Sequence, residues 1–246
     1  MKYKLSIIIP VFNEEKTVAE LLTKVINAKI SAEKEIIIIN DGSTDTSEDL
    51  IENWREKNKH SVSVKYINKE NGGKGSAVRK GIAISTGDAV IIQDADLEYD
   101  PADYEQCFTP IRNGECRIVY GSRELKANAK RVYSSPAFFL GGLLVTKWFN
   151  ILFRSSLTDE PTCYKCFDGK LIRKLNFKGN KFDWEPEVTA KLLRLGFEIK
   201  EVPVSYHPRK VNEGKKIKWT DGVSALWTAL YWRLLPINKI KKDYCS

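Results

Sequence analysis

The chain is poor in histidine and sulfur, with two histidines, one methionine and five cysteines in 246 residues. His60 and His207 lie far apart in sequence, so a two-histidine metal site or a Ser-His-Asp arrangement is hard to assemble. A role for a single histidine stays open, and acid–base chemistry otherwise falls to carboxylates. The cysteines, Cys107, Cys116, Cys163, Cys166 and Cys245, are odd in number and irregularly spaced, in a chain whose size needs no disulfide staples. A reducing compartment is the simpler reading. Cys163-x-x-Cys166 has neither a second pair nor a nearby histidine, which supports neither zinc ligation nor thioredoxin-type redox chemistry and points to buried structural thiols. No uncharged apolar run of about eighteen residues occurs, because Lys147 and Arg154 interrupt the longest candidate, 137–153; no spanning helix is expected. The apolar stretch in MKYKLSIIIPVFNEE is too short for a secretory core and leads into acids, so it reads as a first strand. Internal repeats, low-complexity tracts and Gly/Ser/Pro-rich hinges are absent as well.

What is present fits one large globular domain: 42% apolar and 29% charged residues, with an excess of eight positive charges. That excess calls for an anionic partner without choosing among nucleic acid, phosphorylated substrate and membrane surface. Strand-length apolar runs at 5–10, 35–40, 62–67 and 89–93 alternate with helix-spaced segments at 17–26, 47–54 and 75–84. The alternation predicts βαβ units, hence an α/β, Rossmann-like, mostly parallel sheet flanked by helices. The second half is less regular. A strand over 117–120, a helix over 182–195 and a strand over 198–206 are expected, and then an amphipathic, Trp-rich helical appendage. The division is 1–209 for the catalytic domain and 210–246 for a basic segment that packs on it or lies at a membrane interface.

Parallel sheets bind ligands beyond the carboxyl ends of their strands, where PVFNEE, NDGSTD, NKENGGKGSAVRKG and QDADLEYD fall. Asp94 and Asp96, with Glu98 two residues on, can converge on a hard divalent cation that completes its shell with water and phosphate oxygens. An isolated D-x-D is also an ordinary turn or cap. Asp41 is placed to accept ribose or base hydrogen bonds, although N-D-G-S is equally a common turn. The loop 71–76, with Lys74, resembles a phosphate cradle opening a helix, yet it lacks the P-loop frame. Arg123, Arg131, Arg209 and Lys215 are the cations expected near phosphate.

Together, PVFNEE, NDGSTDTS, NGGKGSAVRKGI, QDADLEYDPADY, VYGSR, TDEPTCYKCF, DWEPEVTAKLLRLGF and EVPVSYHPRKVNEGKKI resemble, in that order and over nearly the whole chain, the inverting glycosyltransferases of family 2. The resemblance is to the dolichyl-phosphate mannose synthase-like branch, which transfers sugar to polyprenyl phosphate. It implies a GT-A fold with a nucleotide sugar in the crevice. It implies that Pro10, Phe12, Glu14 and Asp41 hold the nucleoside, that Asp94, Ala95, Asp96 and Glu98 frame Mg²⁺ or Mn²⁺ and the diphosphate, and that Lys74, Arg209 and Lys215 meet the donor. By the same resemblance Arg123 meets phosphate and Asp159 orients the nucleophile or acts as base toward a hydroxyl acceptor; Arg131, a cation read from the sequence itself, is expected to position the acceptor phosphate together with Arg123. Asp94, Asp96, Asp159 and Arg209 form the implied catalytic set. Two departures stand out: Glu98 replaces the glutamine of many mannose synthases, and Thr162-Cys163-Tyr164 replaces the usual small residue, glycine and aromatic.

The expected reaction is metal-dependent, inverting hexosyl transfer to a polyprenyl or dolichyl phosphate. GDP-mannose is favoured as donor, with UDP-glucose, a UDP-N-acetylhexosamine and a hydroxyl acceptor as alternatives. The rivals are a nucleotidyltransferase and a non-enzymatic basic module binding membrane or nucleic acid. No nucleic-acid partner is expected of the transferase. Segments 135–153 and 219–235 are candidate interfacial helices, placing the protein peripherally on the cytoplasmic face of a membrane.

Overall fold

The structure is a computed structural model that describes residues 3–59, 62–125, 136–209, 216 and 218–245. Seven strands, β1 (Lys4–Val11), β2 (Glu33–Asn40), β3 (Ser63–Asn68), β4 (Ala89–Ile92), β5 (Ile118–Ser122), β6 (Lys165–Asp168) and β7 (Lys200–Pro203), form one sheet in the order β3-β2-β1-β4-β6-β5-β7. All neighbours are parallel except β6, which runs antiparallel to both β4 and β5. The expected mostly parallel sheet is therefore present. The reversed strand was not foreseen, since KCFD is too short and too mixed to show a period. Its lysine survives inside because Lys165 donates to the Glu160 and Thr162 carbonyls, each at 2.7 Å, and sits over the Tyr120 ring.

Because β1 is central and buried on both faces, its residues read as a continuous apolar run. Ile7 and Ile9 face one layer, packed with Leu21, Trp54 and Phe108 from α1 (Val18–Asn27), α2 (Ser47–Asn58) and α4 (Tyr104–Arg112). Ile8 faces the other, with Val78, Leu171 and Trp184 from α3 (Lys74–Ile84), α6 (Gly169–Lys174) and α7 (Trp184–Arg194). A third core joins α5 (Pro136–Phe153), α7, α8 (Trp219–Leu234) and α9 (Ile237–Cys245) through Phe149, Ala190, Trp232 and Ile240. Lys191 of α7, fully buried, pairs with Glu187 at 2.8 Å and lies 4.1 Å from the Trp232 ring centre.

One expectation is revised here. Residues 136–153 make a single 18-residue helix that is, by length and composition, long and apolar enough to cross a membrane, since Lys147 is its one charge. Arg154 falls just beyond its end, so it does not interrupt the apolar run. α5 nevertheless packs one side against α7 and α8, burying Val145, Thr146 and Phe149.

Close approach of α3 to the sheet depends on Gly81, where an added Cβ would lie 2.5 Å from Ile8 Cγ2. Alanine there gains about 1 kcal/mol of helix propensity but forces a buried isoleucine off its site, at about 1–3 kcal/mol. Gly81→Ala should therefore lower the melting temperature. In an Ile8→Ala background the same change should raise it, and comparing the two pairs by thermal unfolding tests the packing argument.

Candidate active site

The strand ends deliver their loops to one edge. Glu14 follows β1, Asp41 follows β2, Asp94 and Asp96 follow β4, and Arg123 follows β5. Because β6 is reversed, the segment preceding it, Asp159 to Tyr164, arrives at the same edge. Tyr206 bridges to Tyr99, and His207 N donates to the Glu98 carbonyl at 2.8 Å, which lays the chain after β7 across the site.

At the β1–β2 end, Asp41 is nearly enclosed. It pairs with Lys69 and accepts from Gly72 N and Gly73 N at 3.1 and 2.7 Å. The glycine loop does not cradle phosphate in this arrangement. Its first amides point at Asp41, and Gly75 N and Ser76 N donate to the Lys181 and Asn180 carbonyls. Gly42 (φ +70°) and Gly73 (φ +90°) permit the close approach; a Cβ on Gly73 would meet Asn180 O at 2.5 Å. Pro10 is the last residue but one of β1, and Phe12 stands partly exposed beside Lys216, whose ammonium bonds the Phe12 carbonyl and reaches Glu14 at 2.7 Å.

The centre is a cluster of charge. Arg209 reaches Glu14 Oε2 at 3.0 Å and Asp96 Oδ2 at 3.0 Å, while its backbone N–H donates to Glu98 Oε1 at 2.9 Å. Glu98 also accepts from the Tyr206 hydroxyl at 2.8 Å. Lys74 spans Asp94 (2.8 Å) and Glu185 (2.9 Å). Ala95 is buried between the two aspartates. Among the described residues five carboxylates, Glu14, Asp94, Asp96, Glu98 and Glu185, thus face three cations, Lys74, Arg209 and Lys216. Burial, then the neighbouring Asp94 and Glu98 charges, push the Asp96 carboxyl up to about 7 against the pull of Arg209.

Asp94, Asp96 and Glu98 do not converge as a three-carboxylate ligand set. Among the described residues no three His, Cys, Asp or Glu side chains are grouped to hold a metal ion by themselves. Glu98 is engaged by the Tyr206–Arg209 segment instead. The donors that remain, the hard carboxylates of Asp94 and Asp96, fit Mg²⁺ or Mn²⁺ with the rest of the shell drawn from water and phosphate. Among the described residues the buried Arg209 Nε has no hydrogen-bond partner, with Glu98 Oε1 4.0 Å away, which leaves it a donor for an anionic oxygen.

The acceptor end centres on Arg123. Its Nε and Nη2 grip Asp159 at 2.7 and 2.6 Å, and its backbone N–H adds a third bond at 2.9 Å. Burial pushes Asp159 upward, but Arg123 outweighs it and holds the carboxyl below the ordinary range. Glu201 fixes this loop by accepting from Thr158 N and Asp159 N. Glu160 is enclosed, with Oε1 unpartnered, and burial pushes its carboxyl up to about 7 although Lys165 opposes the shift. A cavity of about 340 Å³ runs from Arg123, Asp159 and Glu185 toward Phe139, Val145 and Ala225 of α5 and α8. Arg131 and Lys215 lie outside the described residues.

Sequence reasoning missed Glu185, Glu160, Lys69 and Lys216. Glu185 had a signal: DWEPEVTAKLL puts it next to Trp184, which with Val188 and Leu192 marks the buried stripe of α7. The Cys166 thiol is buried in β6 as a structural group, whereas Cys163 lines the cavity, and Cys107, Cys116, Cys163 and Cys166 are all unpaired.

Strand-end carboxylates, the cations that face them and an adjoining chamber that reaches between α5 and α8 are the parts a group-transfer enzyme on an open α/β sheet requires. Residues 6–175 match the model of glycosyl transferase family 2, and the chain belongs to that family. It is 27% identical over 230 residues to the dolichyl-phosphate beta-glucosyltransferase of Trichomonas vaginalis, covering 87% of this chain and 68% of that protein. It is 22% identical over 240 residues to glycosyltransferase AglD of Haloferax volcanii (94% and 37%), and 23% identical over 214 residues to the dodecaprenyl-phosphate galacturonate synthase of Rhizobium johnstonii (84% and 60%). The chain thus spans well under two thirds of AglD and slightly less than two thirds of the galacturonate synthase. Its fold is that of glucosyl-3-phosphoglycerate synthase from Mycobacterium tuberculosis, solved with Mn²⁺, UDP and phosphoglyceric acid: TM-score 0.69, 19% identity, 95% of this chain and 80% of that one. The protein is a glycosyltransferase of GT-A fold, which sets aside the nucleotidyltransferase reading.

The raised Glu160 carboxyl gives a signed test. The native state holds its proton to a higher pH than the unfolded chain, so stability falls as pH rises from the usual carboxylate range through about 7. Glu160→Gln cannot ionise and should gain on the wild type across that window, by on the order of 2 kcal/mol at pH 8 and little at pH 4. Urea unfolding of both proteins at the two pH values measures the difference.

Proposed function

We propose that this enzyme transfers a hexosyl group, with inversion, from a nucleoside-diphosphate sugar to the phosphate of a polyprenyl or dolichyl lipid, working at the cytoplasmic face of a membrane. The observation that carries the reading is the state of Asp159. Both of its oxygens are bound by Arg123 and its pKa is depressed, so it is a poor general base. A hydroxyl acceptor needs such a base. A phosphate monoester, with a second pKa near about 6, is already an anionic nucleophile at neutral pH. The names of two relatives, a dolichyl-phosphate glucosyltransferase and a dodecaprenyl-phosphate galacturonate synthase, agree with a lipid phosphate acceptor.

In this reading the donor diphosphate lies by Asp94, Asp96 and Arg209, and the acceptor phosphate lies by Arg123, with Arg131 as a further cation. An acceptor oxygen attacks the anomeric carbon as the bond to the diphosphate breaks from the opposite side, and the electron pair departs on the diphosphate. Arg209 stabilises that leaving charge, and Lys215 is proposed to join it. Mg²⁺ or Mn²⁺ held by Asp94 and Asp96 would supply further neutralisation of the diphosphate. Pro10, Phe12, Glu14 and Asp41 are proposed to seat the nucleoside. Lys74 is proposed to act on the donor through Asp94 and Glu185. Asp159 orients Arg123.

The lipid tail has an apolar place to go. The cavity continues under α5 and α8, and each helix turns a line of apolar residues outward. Leu140, Leu144 and Ile151 on α5, and Trp219, Val223, Trp227 and Leu234 on α8, are all more than half exposed. Such lines, with tryptophan among them and lysines in α9, suit the interface of an anionic bilayer. The four unpaired thiols suit a reducing compartment. GDP-mannose is the donor favoured by the sequence resemblance, and glucose enters with equal claim through the Trichomonas relative.

Purified protein with Mn²⁺, a panel of nucleotide sugars and a polyprenyl phosphate should yield a lipid-linked sugar detectable by mass spectrometry. Slow donor hydrolysis without lipid product would overturn the lipid acceptor. Asp94→Asn should cut transfer at least about 10³-fold with an unchanged melting temperature, since it removes a carboxylate that would hold the divalent ion neutralising the leaving diphosphate. Separately, Trp219→Ala/Trp227→Ala should weaken co-sedimentation with phosphatidylglycerol vesicles severalfold while leaving the fold intact, since both rings are exposed. Unchanged vesicle binding would rule out α8 as the docking element.

A further inference from the structure

Between the Asp94 end and the Asp159 end, the cavity wall is acidic. Glu98, Asp159, Glu160 and Glu185 line it. The described lining cations are Arg123 and Lys218; Arg123 gives two guanidinium nitrogens to Asp159, and Lys218 stands at the start of α8. Lys74 divides one positive charge between Asp94 and Glu185, whose side chains are 15% and 8% exposed. A glycosyl group with its diphosphate at Asp94 and its anomeric carbon toward Arg123 must lie along this wall, against Cys163 and Glu185. An ionised carboxylate accepts hydrogen bonds and donates none. It therefore suits a ring bearing hydroxyls, and in a water-poor cavity it opposes a second carboxylate.

We propose that Glu185, held in place by Lys74, selects the class of sugar: it accepts a hydrogen bond from a hydroxyl of a neutral hexosyl group and excludes a uronosyl group. The inference rests on the reading that the donor is a nucleoside-diphosphate sugar. Lys74 fixes the carboxylate without neutralising it, because Asp94 takes half of the ammonium's attention. Lysine, rather than arginine, leaves room for this sharing, since its compact ammonium bonds two acceptors from one point.

Titration calorimetry of the full chain with Mn²⁺ tests it. The ligands are the nucleoside diphosphate, its neutral hexosyl form and its uronosyl form, in both a uridine series (glucose, glucuronate) and a guanosine series (mannose, mannuronate). In the series that binds, the neutral form should bind at least about fivefold more tightly than the uronosyl form. A smaller gap overturns the proposal. Referred to the nucleoside diphosphate in each variant, Glu185→Gln should shrink the gap at least about threefold, and Lys74→Met, which strips Glu185 of its counter-charge, should widen it. A gap unmoved by Glu185→Gln at native melting temperature overturns the assignment. Should that variant not fold, a gap unchanged or narrowed in Lys74→Met does so. Failure of both nucleoside diphosphates to bind would overturn the donor reading itself, whereas their binding without a sugar-class gap would overturn this inference alone.

Discussion

The crowding of carboxylates at one sheet edge is the constraint on which the site depends. Parallel strands leave their following loops on the same side, and here those loops carry Glu14, Asp94, Asp96 and Glu98. Like charges this close, partly out of water, are costly unless cations are shared among them. Arg209 serves three of the four, and its own charge is stabilised against burial by Asp96 and Glu14. Since Arg209 lies far along the chain from the carboxylates it serves, the centre is not assembled until the chain after β7 has folded back over β4. An anionic ligand and a divalent ion arriving together would leave this balance nearly unchanged.

The reversal of β6 is the second organising feature. Were that strand parallel, the segment from Asp159 to Tyr164 would enter at the opposite edge of the sheet. Reversal puts Asp159 against Arg123, Cys163 against Asp94, and Tyr164 in a stack with Tyr99 at 5.1 Å. Gln93, at the end of β4, accepts from the hydroxyls of Tyr104 and Tyr164 and so fixes the floor beneath Asp94. The opposite edge has its own buried acid, Glu35, which Lys65, Ser6 and Thr86 hold at about 2 despite burial. That one is fully satisfied, far from the loaded loops, and structural.

Much of this was legible in the residues. The apolar runs at β1, β2 and β4 are long because central strands are covered on both faces, and the helical spacing of Val18, Leu21, Leu22 and Val25 is the inner stripe of α1. The loaded strand-end loops followed from topology. Less was visible where partners come from distant segments. KCFD carries no period, and Lys165 inside it looks like a surface residue until the Glu160 and Thr162 carbonyls are seen around its ammonium. Loop 71–76 read as a phosphate cradle because its composition matches one; that its amides belong to Asp41 and to the 180–181 carbonyls depends on contacts no spacing encodes. The apolar helix α5 was discounted for one lysine and an arginine that falls past its end. Family motifs marked Asp94, Asp159 and Arg209, while Glu185 hid among buried positions of a helix.

The anchoring of α8 has a mechanical consequence. Its C-terminal carbonyls, those of Trp232, Arg233 and Leu235, are clamped by Arg194 at 2.7, 2.5 and 3.0 Å, and Trp232 lies on buried Lys191. Its first turn, with Trp219 exposed and Gly222 along the cavity, is closed locally by the Asp221 carboxylate, which accepts from Lys218 N at 2.7 Å, and Ala225 lines the cavity one turn on. α8 is thus tied to the core at its C-terminal end and, through the Trp148 Nε1 bond to the Leu226 carbonyl at 3.1 Å, at its middle, so the wall it gives the chamber beside Asp159 comes from turns that lie before both ties.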